Sequence, residues 1–465
     1  MRARLKDQVP TLLVAVLAGT FGVLLLHVTG MLAVAIAADS VTGDSDTVAL
    51  MLQVLAWVFI VIAIYVSAIV TSNTVATVVA GRTRLIALLR LIGSSARAER
   101  GRIAREGLAV GFAGAAIGIV LGTLAAFGLQ RVAVTTGVMP DVAYQYVNVS
   151  VLLPAIAVVL TTWLASWVGS RRVLRVRPIE AIGQSVESDR EELVRRRGRN
   201  IAAVVLIVLG AGLLAAGIVV GLVRPEGVLI GLLGGVLSFS GVVLAAHLVM
   251  PPVLRLVGRI FGRTPAARLA AENAVRNPER SSRMTIGLVI GVTLVTTFSV
   301  TMESYRAMIH AAIEAQPEVF AGVEGMLNVT IAVFAVLIGF SALIAAIGMV
   351  NTLSLSVLQR TRELGLLRAL GFEARQLRGM IIAEAAALTI AATITGLVLG
   401  FVYGWAGAQA LLGGAQGEPV FIFPGIPWAM IGILIVAAGL LTAIASIAPA
   451  RRAVRVSPVV ALATD

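Results

Sequence analysis

The stretch NTLSLSVLQRTRELGLLRALG, from Asn351 to Gly371, decides how this chain is organised, because the chain contains it twice. The other copy, NTVATVVAGRTRLIALLRLIG, runs from Asn73 to Gly93 and lies 278 residues upstream. A second motif, RRVLRVRP at 171–178, returns as RRAVRVSP at 451–458 with an offset of 280. Two motifs that recur in the same order at nearly the same spacing indicate a duplicated structural unit.

The composition shows which solvent surrounds these units. Apolar residues make up 58% of the 465 residues and charged residues 13%, and the mean hydropathy is +0.98. A soluble protein has about 45–50% apolar and about 25% charged residues, so most of this chain must lie in a bilayer. A membrane-spanning helix needs about 20 apolar residues. Ten runs are long enough, numbered here as segments 1 to 10: 11–37, 48–80, 107–129, 149–170, 201–223, 228–254, 284–302, 327–357, 381–411 and 426–449.

The basic residues fix the orientation of these segments. Of the 37 lysines and arginines, all but Arg131, Arg224 and Arg306 fall in the N-terminal stretch or in alternate loops, so 34 lie on one side. The positive-inside rule makes that side cytoplasmic and places both termini in the cytoplasm. The same distribution accounts for the pI of about 11.3, so we expect no nucleic-acid partner.

Together these observations predict an all-α integral membrane protein with about ten transmembrane helices. Residues 1–186 form a first four-helix unit, residues 187–270 a linker and an extra two-helix hairpin, and residues 271–465 a second four-helix unit. Six segments precede the second unit, and six is an even number. The two units therefore enter the membrane in the same direction and form a parallel repeat.

The motifs of both units resemble those of the FtsX-like permease family, the membrane subunits of MacB-type (type VII) ABC transporters. The likeness lies in Asn351–Gly371, in Glu384-Ala385, in Ala271–Met284 before segment 7 and in Arg451–Pro458 at the end. The first unit has diverged, since Leu85 stands where the second has Glu363. The resemblance implies a multi-pass protein of the bacterial cell (inner) membrane. The outer loop 38–47 is short, so the chain is similar to a ten-helix form of the family that lacks a large extracytoplasmic domain.

In that family the stretch after segment 8 is the coupling helix, which rests on the ATPase. The resemblance assigns this role to eleven residues: Arg362, Glu363, Leu367, Arg368, Leu370 and Gly371 in the second copy, and Arg84, Leu88, Arg90, Leu91 and Gly93 in the first. The pattern is amphipathic and ends in glycine, which adopts a positive φ without steric cost and so ends helices well. The alternative is an interfacial helix that only anchors segment 8 at the membrane surface.

The ATPase itself is expected on another chain, because the sequence contains no phosphate-binding G-x-x-x-x-G-K-[ST] motif. The resemblance implies a homodimeric ABC ATPase as partner, with ATP and magnesium bound there and no cofactor on this chain. Membrane lipids and an unidentified amphiphilic substrate are the other expected partners. No cluster of residues has the spacing of a metal site or of a catalytic triad, so we expect no enzymatic activity in this chain.

The roles of several polar residues near the segments have two interpretations. Glu106 and Glu384, which are related by the offset of 278, are candidates for carboxylates of an inner gate or are simple interfacial groups. His27 and His247 are expected to make packing contacts between helices rather than to relay protons. Helical spacing of apolar residues in 303–325 predicts an amphipathic extension of segment 7 at the outer surface.

The sequence therefore favours a permease subunit that couples hydrolysis by a separate ATPase to export or extraction of a lipid, peptide or hydrophobic compound. An alternative is a mechanotransmitter that transports nothing and passes ATPase strokes to an extracytoplasmic partner. An ion-coupled carrier ranks last, because the segments lack acidic residues at mid-depth.

Overall fold

The structure, a computed structural model, describes the chain in several stretches: 2–37, most of 54–72, 88–89, 92–137, 141, 149–170, 197–258, 278–315, 339, 371–414 and 419–455. Nine α-helices lie in these stretches: α1 (Arg2–Ala37), α2 (Ala96–Thr135), α3 (Leu152–Gly169), α4 (Arg197–Gly221), α5 (Gly227–Leu244), α6 (Ala246–Gly258), α7 (Pro278–Ala315), α8 (Ala374–Leu412) and α9 (Trp428–Arg455). A short 3-10 helix, Val149–Val151, precedes α3. Within the described stretches there is no β-strand.

The all-α membrane architecture is confirmed. Seven of the described helices are long and apolar enough to cross a bilayer, and they correspond to segments 1, 3, 4, 5, 6, 7 and 9. The described residues of segment 2, between 54 and 72, are also helical. Segment 8 falls, apart from Gly339, outside the described residues, as do both predicted domain boundaries, so the division into units stays a prediction there.

Two long helices extend past the membrane, as polar residues at their ends require. The 40 residues of α2 correspond to about 60 Å at 1.5 Å per residue, against about 30 Å for a hydrocarbon core. Helix α7 continues to Ala315, which confirms the predicted helical extension of segment 7 as far as that residue, and the remainder of 303–325 lies outside the described residues. In that extension Arg306 pairs with Glu303 at 3.6 Å.

Segment 6 is not the single helix that its hydropathy predicts. It divides at Ala245 into α5 and α6, and α6 contains Pro251 and Pro252. A proline has no N–H to donate, and its ring pushes against the carbonyl four residues earlier, which here belongs to His247 or Leu248. The break at Ala245 lies six residues before Pro251, upstream of the carbonyls that the prolines affect directly.

The contacts between helices repeat with the sequence. In the first unit α2 packs on α1 and α3, and in the second α8 packs on α7 and α9. At both main contacts a glycine pair lets the backbones approach. A Cβ on Gly118 or Gly122 of α2 would come within 2.8 Å of α1, and one on Gly396 or Gly400 of α8 within 2.7 Å of α7. Small residues four apart are the usual means of close helix approach in membranes.

The residues of α1 and α7 that these glycines contact also correspond between the two halves, but at a different sequence offset. Gly118 meets Gly19 and Thr20, whereas Gly396 meets Val292 and Thr293, and the next glycines meet positions one turn further along. Helix α1 thus aligns with α7 at an offset of 273, while α2 aligns with α8 at 278. The two halves share one packing geometry.

The extra hairpin of α4 and α5 packs on itself and on α8. Two tyrosines link α5 to its neighbours. Tyr65 of segment 2 contacts Ser240 Oγ at 2.8 Å and donates to the Val236 carbonyl at 3.1 Å, and Tyr403 of α8 contacts Ser238 Oγ at 3.0 Å. The hairpin therefore touches both the first unit, through segment 2, and the second unit, through α8.

Candidate functional site

On its predicted cytoplasmic side, the first unit has a helical turn that ends at a glycine. Gly93 has φ +101°, and the N–H of Ser94 donates to the Leu89 carbonyl at 2.9 Å. This bond across six residues is the Schellman closure of a helix end, which requires a residue in the left-handed region. We call Leu88, Leu89, Ile92 and Gly93 the Gly93 turn.

The Gly93 turn presents apolar side chains to solvent on the side predicted to be cytoplasmic. Leu88 is 47% exposed and Ile92 is 81% exposed. Ile92 is absent from the sequence-based set, which contains Leu91. The repeat offset of 278 could have found it, because Leu370 aligns with Ile92 rather than with Leu91.

A network of polar side chains joins the Gly93 turn to α2. Ser95 caps the helix by accepting from the Ala98 N–H at 3.1 Å, and Ser94 Oγ donates to Glu99 at 2.9 Å. Arg102 then bridges Glu99 at 3.6 Å and Glu106 at 3.3 Å. The sequence analysis missed Glu99, a buried residue whose first-turn position in a helix suits a carboxylate. The turn and the first three turns of α2 are therefore one hydrogen-bonded body.

The N-terminal part of α2 also contacts α3. The guanidinium of Arg100 lies 4.1 Å from the ring centroid of Trp167 and donates to the Trp167 carbonyl at 3.3 Å. A cation stacked on an indole adds attraction to the hydrogen bond.

The second unit has a corresponding turn, but the residues of the helix that follows it differ. Gly371 has φ +96°, and α8 begins three residues later, after a capping box between Glu373 and Gln376. Where the first unit has Glu99 and Arg102, the second has Leu377 and Met380, which are 0% and 2% exposed. Apolar packing here takes the place of the ionic network.

The remaining members of the predicted coupling set lie outside the described residues: Arg84, Arg90 and Leu91 in the first copy, and Arg362, Glu363, Leu367, Arg368 and Leu370 in the second. Of the predicted gate residues, Glu106 is partly exposed and pairs with Arg102 on its own helix, whereas Glu384 is buried on α8. Their role in a gate stays a prediction.

The histidines make packing contacts, as predicted. His27 of α1 contacts the Thr123 hydroxyl of α2 at 3.3 Å. His247 of α6 contacts the Asn200 side chain of α4 at 3.1 Å. Each histidine thus joins two helices.

A cavity of about 160 Å³ lies where segment 2, the hairpin and the second unit meet. Its wall is almost wholly apolar and comes from segment 2, α4, α5, α7 and α8. Phe239 forms part of the wall and makes edge-to-face contacts with Tyr65 and Tyr403, each at 6.3 Å between ring centroids. Sequence patterns gave no sign of this cavity, because its walls are far apart in the chain.

Known proteins are similar to this chain in sequence. The FtsX-like permease C-terminal domain matches residues 57–178 and 335–458, once in each half. The chain is 28% identical over 129 residues to the ABC transporter permease YtrF of Bacillus subtilis, a match that covers 26% of this chain and 30% of that one. It is 36% identical over 127 residues to the macrolide export ATP-binding/permease protein MacB of Wolinella succinogenes, covering 27% of this chain and 18% of that protein.

These alignments cover only part of each relative, from 18% for MacB to 37% for the permease YknZ of Bacillus subtilis. The domain match, in contrast, covers more than half of this chain and coincides with the two copies of the glycine-ended turn. The duplicated turn, the apolar helices and the double domain match agree, and this multi-pass membrane protein belongs to the FtsX-like permease family.

Proposed function

We propose that this chain is the permease subunit of an ABC transporter, driven by a separate homodimeric ATPase that binds ATP and magnesium. Its task is the export or extraction of a lipid, peptide or hydrophobic compound from the membrane. The observation that carries this proposal is the pair of glycine-ended turns, Gly93 and Gly371. Each turn directly precedes a long helix, α2 or α8, that continues through the membrane.

Docking on the ATPase is the first step of the proposed mechanism. An exposed apolar knob at a helix end fits a groove on a partner, and a few such residues supply most of the binding energy. Leu88 and Ile92 are the exposed apolar residues of the Gly93 turn. Leu367 and Leu370 belong to the corresponding stretch of the second copy.

Transmission along α2 and α8 is the second step. Because the network Ser94–Glu99–Arg102–Glu106 fixes the turn to α2, a displacement of the turn moves the helix as a whole. Because the glycine contacts are close, α1 should move together with α2, and α7 together with α8. Closure of the ATPase dimer would therefore rock one unit against the other, with Glu106 and Glu384 near the inner ends.

Co-purification tests the proposal. The full-length chain is tagged and extracted from its own cell membranes in mild detergent, and the bound proteins are identified by mass spectrometry. We expect an ATPase with a G-x-x-x-x-G-K-[ST] motif, present in two copies per permease. An extract with no such ATPase would contradict the proposal. Substrate movement in vesicles containing the complex would then separate transport from the mechanotransmitter alternative, in which ATP is hydrolysed and nothing moves.

A further inference from the structure

The cavity of about 160 Å³ lies in the middle and outer part of the membrane. On the predicted orientation α5 runs inward from its outer end at Gly227, and its residues 228–239 border the cavity. Helix α8 runs outward, and its residues 403–411 border the cavity close to the outer end at Leu412. Whatever enters the cavity sideways at this depth comes from the hydrocarbon of the outer leaflet.

One face of α7 opens onto this cavity. In the most apolar 18-residue window of α7, 83% of the residues are buried. Between 285 and 300 only Leu294 and Thr297 are partly exposed, and Thr301 continues the same face. All three line the cavity. The spacing of three and four residues places them on one side of the helix, so α7 meets its surroundings at this depth through the cavity.

Three threonines of α7 border the cavity: Thr293, Thr297 and Thr301. The hydroxyls of Thr297 and Thr301 donate to carbonyls of α8 at 3.4 and 3.1 Å. Thr293, which is 4% exposed and also borders the cavity, has a buried hydroxyl without a hydrogen-bond partner among the described residues. Because the hydroxyls of Thr297 and Thr301 are paired and that of Thr293 is buried, the described wall offers an occupant little hydrogen bonding, which favours a hydrocarbon group.

The volume and the apolar lining of the cavity indicate which ligand would fit. A dry apolar cavity of about 150 Å³ admits benzene or xenon, and a cavity of about 160 Å³ is similarly suited to one slender hydrocarbon group. Among the described residues none that borders it is charged, which disfavours a headgroup or an ion. We propose that the cavity binds an acyl chain of a lipid-like amphiphile drawn from the outer leaflet. This inference rests on the proposed function and names the part of the substrate that the permease holds.

Photo-crosslinking from a lipid tail tests the inference. The full-length chain is placed in nanodiscs that contain phosphatidylcholine with a diazirine at the end of one acyl chain, irradiated, and mapped by mass spectrometry. We expect labels on residues 290–301 of α7, and also on the exposed face of α3 around Leu160, which serves as the internal reference. Labels on α3 without labels on α7 would overturn the inference.

Filling the cavity provides the matched comparison. Gly235 and Gly407 line the cavity, and a Cβ on either would meet nothing within 4 Å, so leucine can enter without moving the backbone. Gly235→Leu with Gly407→Leu should abolish labelling of α7, while Gly212→Leu, on α4 in equally open space and away from the cavity, should leave it unchanged. Labelling that persists in the double variant would also overturn the inference.

Co-purification of the ATPase is measured on the same variants, so that the two proposals fail separately. If the wild-type chain binds the ATPase yet α7 is not labelled, only the acyl-chain site is wrong. If α7 is labelled in the expected pattern but no ATPase binds, the site stands and the transporter assignment is wrong.

Discussion

Replacing the exposed residues of the Gly93 turn should weaken binding of the ATPase by an amount that follows from their exposure. Leu88 is 47% exposed and Ile92 is 81% exposed. Full burial of such a side chain stabilises by about 1.5–3 kcal/mol. Scaled by the exposed fractions, the two residues together contribute about 2–4 kcal/mol when a partner covers them.

The variant Leu88→Asp with Ile92→Asp removes that contribution and places two charges against an apolar groove. At about 1.4 kcal/mol for each factor of ten, the dissociation constant should rise at least about 25-fold and up to about 500-fold. The assay is titration of the purified permease, in nanodiscs, with the fluorescently labelled ATPase that co-purifies with the wild type. Normal gel-filtration behaviour of the variant shows that it is folded.

Leu256→Asp is the matched control for this variant. Leu256 is 58% exposed and lies near the end of α6 on the same predicted side of the membrane, away from the Gly93 turn. It should change the dissociation constant by less than a factor of about two, since surface substitutions away from an interface are worth within about 0.5 kcal/mol. Equal effects of the two variants, or unchanged binding by the double variant, would refute docking by the Gly93 turn and favour the membrane-anchor reading.

Three further predictions test topology, packing and capping. Because the chain has no native cysteine, cysteine at Thr136 should react with an impermeant thiol reagent in intact cells and cysteine at Ala98 should not; the reverse would invert the orientation. Gly118→Ala should lower the free energy of unfolding by about 1–3 kcal/mol through overpacking against α1. Gly128→Ala, where nothing lies within 4 Å of the added Cβ, should change it by less than about 0.5 kcal/mol. Unfolding in SDS followed by tryptophan fluorescence measures both variants, and equal effects would contradict the close contact. Ser95→Ala should cost about 1 kcal/mol in the same assay by removing the cap of α2, whereas Ser95→Asn, which also caps, should restore stability.

The sequence predicted the seven described helices that are long enough to span a bilayer, and the continuation of α7 beyond residue 302, because each follows from a local pattern. Apolar length alone determines whether a helix can span a bilayer, and helical periodicity in 303–325 was enough to extend α7 to Ala315. The glycine at the end of the turn was also predictable, since Gly93 and Gly371 follow amphipathic stretches, and both adopt a positive φ.

Other features depend on residues that are distant in the chain. The contacts of Tyr65 with Ser240 and of Tyr403 with Ser238 join residues more than 160 positions apart, so no local pattern could reveal the hairpin as a link between the two units. The cavity follows from the same contacts. The break of segment 6 at Ala245 was missed for another reason: hydropathy measures apolar length and does not register a local interruption of a helix.

The unequal offsets between the halves record where the chain has changed length since its duplication. Helices α1 and α7 align at 273, the stretch from Asn73 to Gly122 at 278, and the closing motif at 280. One change therefore falls between Val23 and Asn73 and the other between Gly122 and Arg171, and each interval contains an outer loop. The interval that contains the Gly93 turn has kept its length to the residue. A constant length in this interval is what the two turns need if they are to reach one two-fold symmetric partner, such as the proposed ATPase dimer, at equal height.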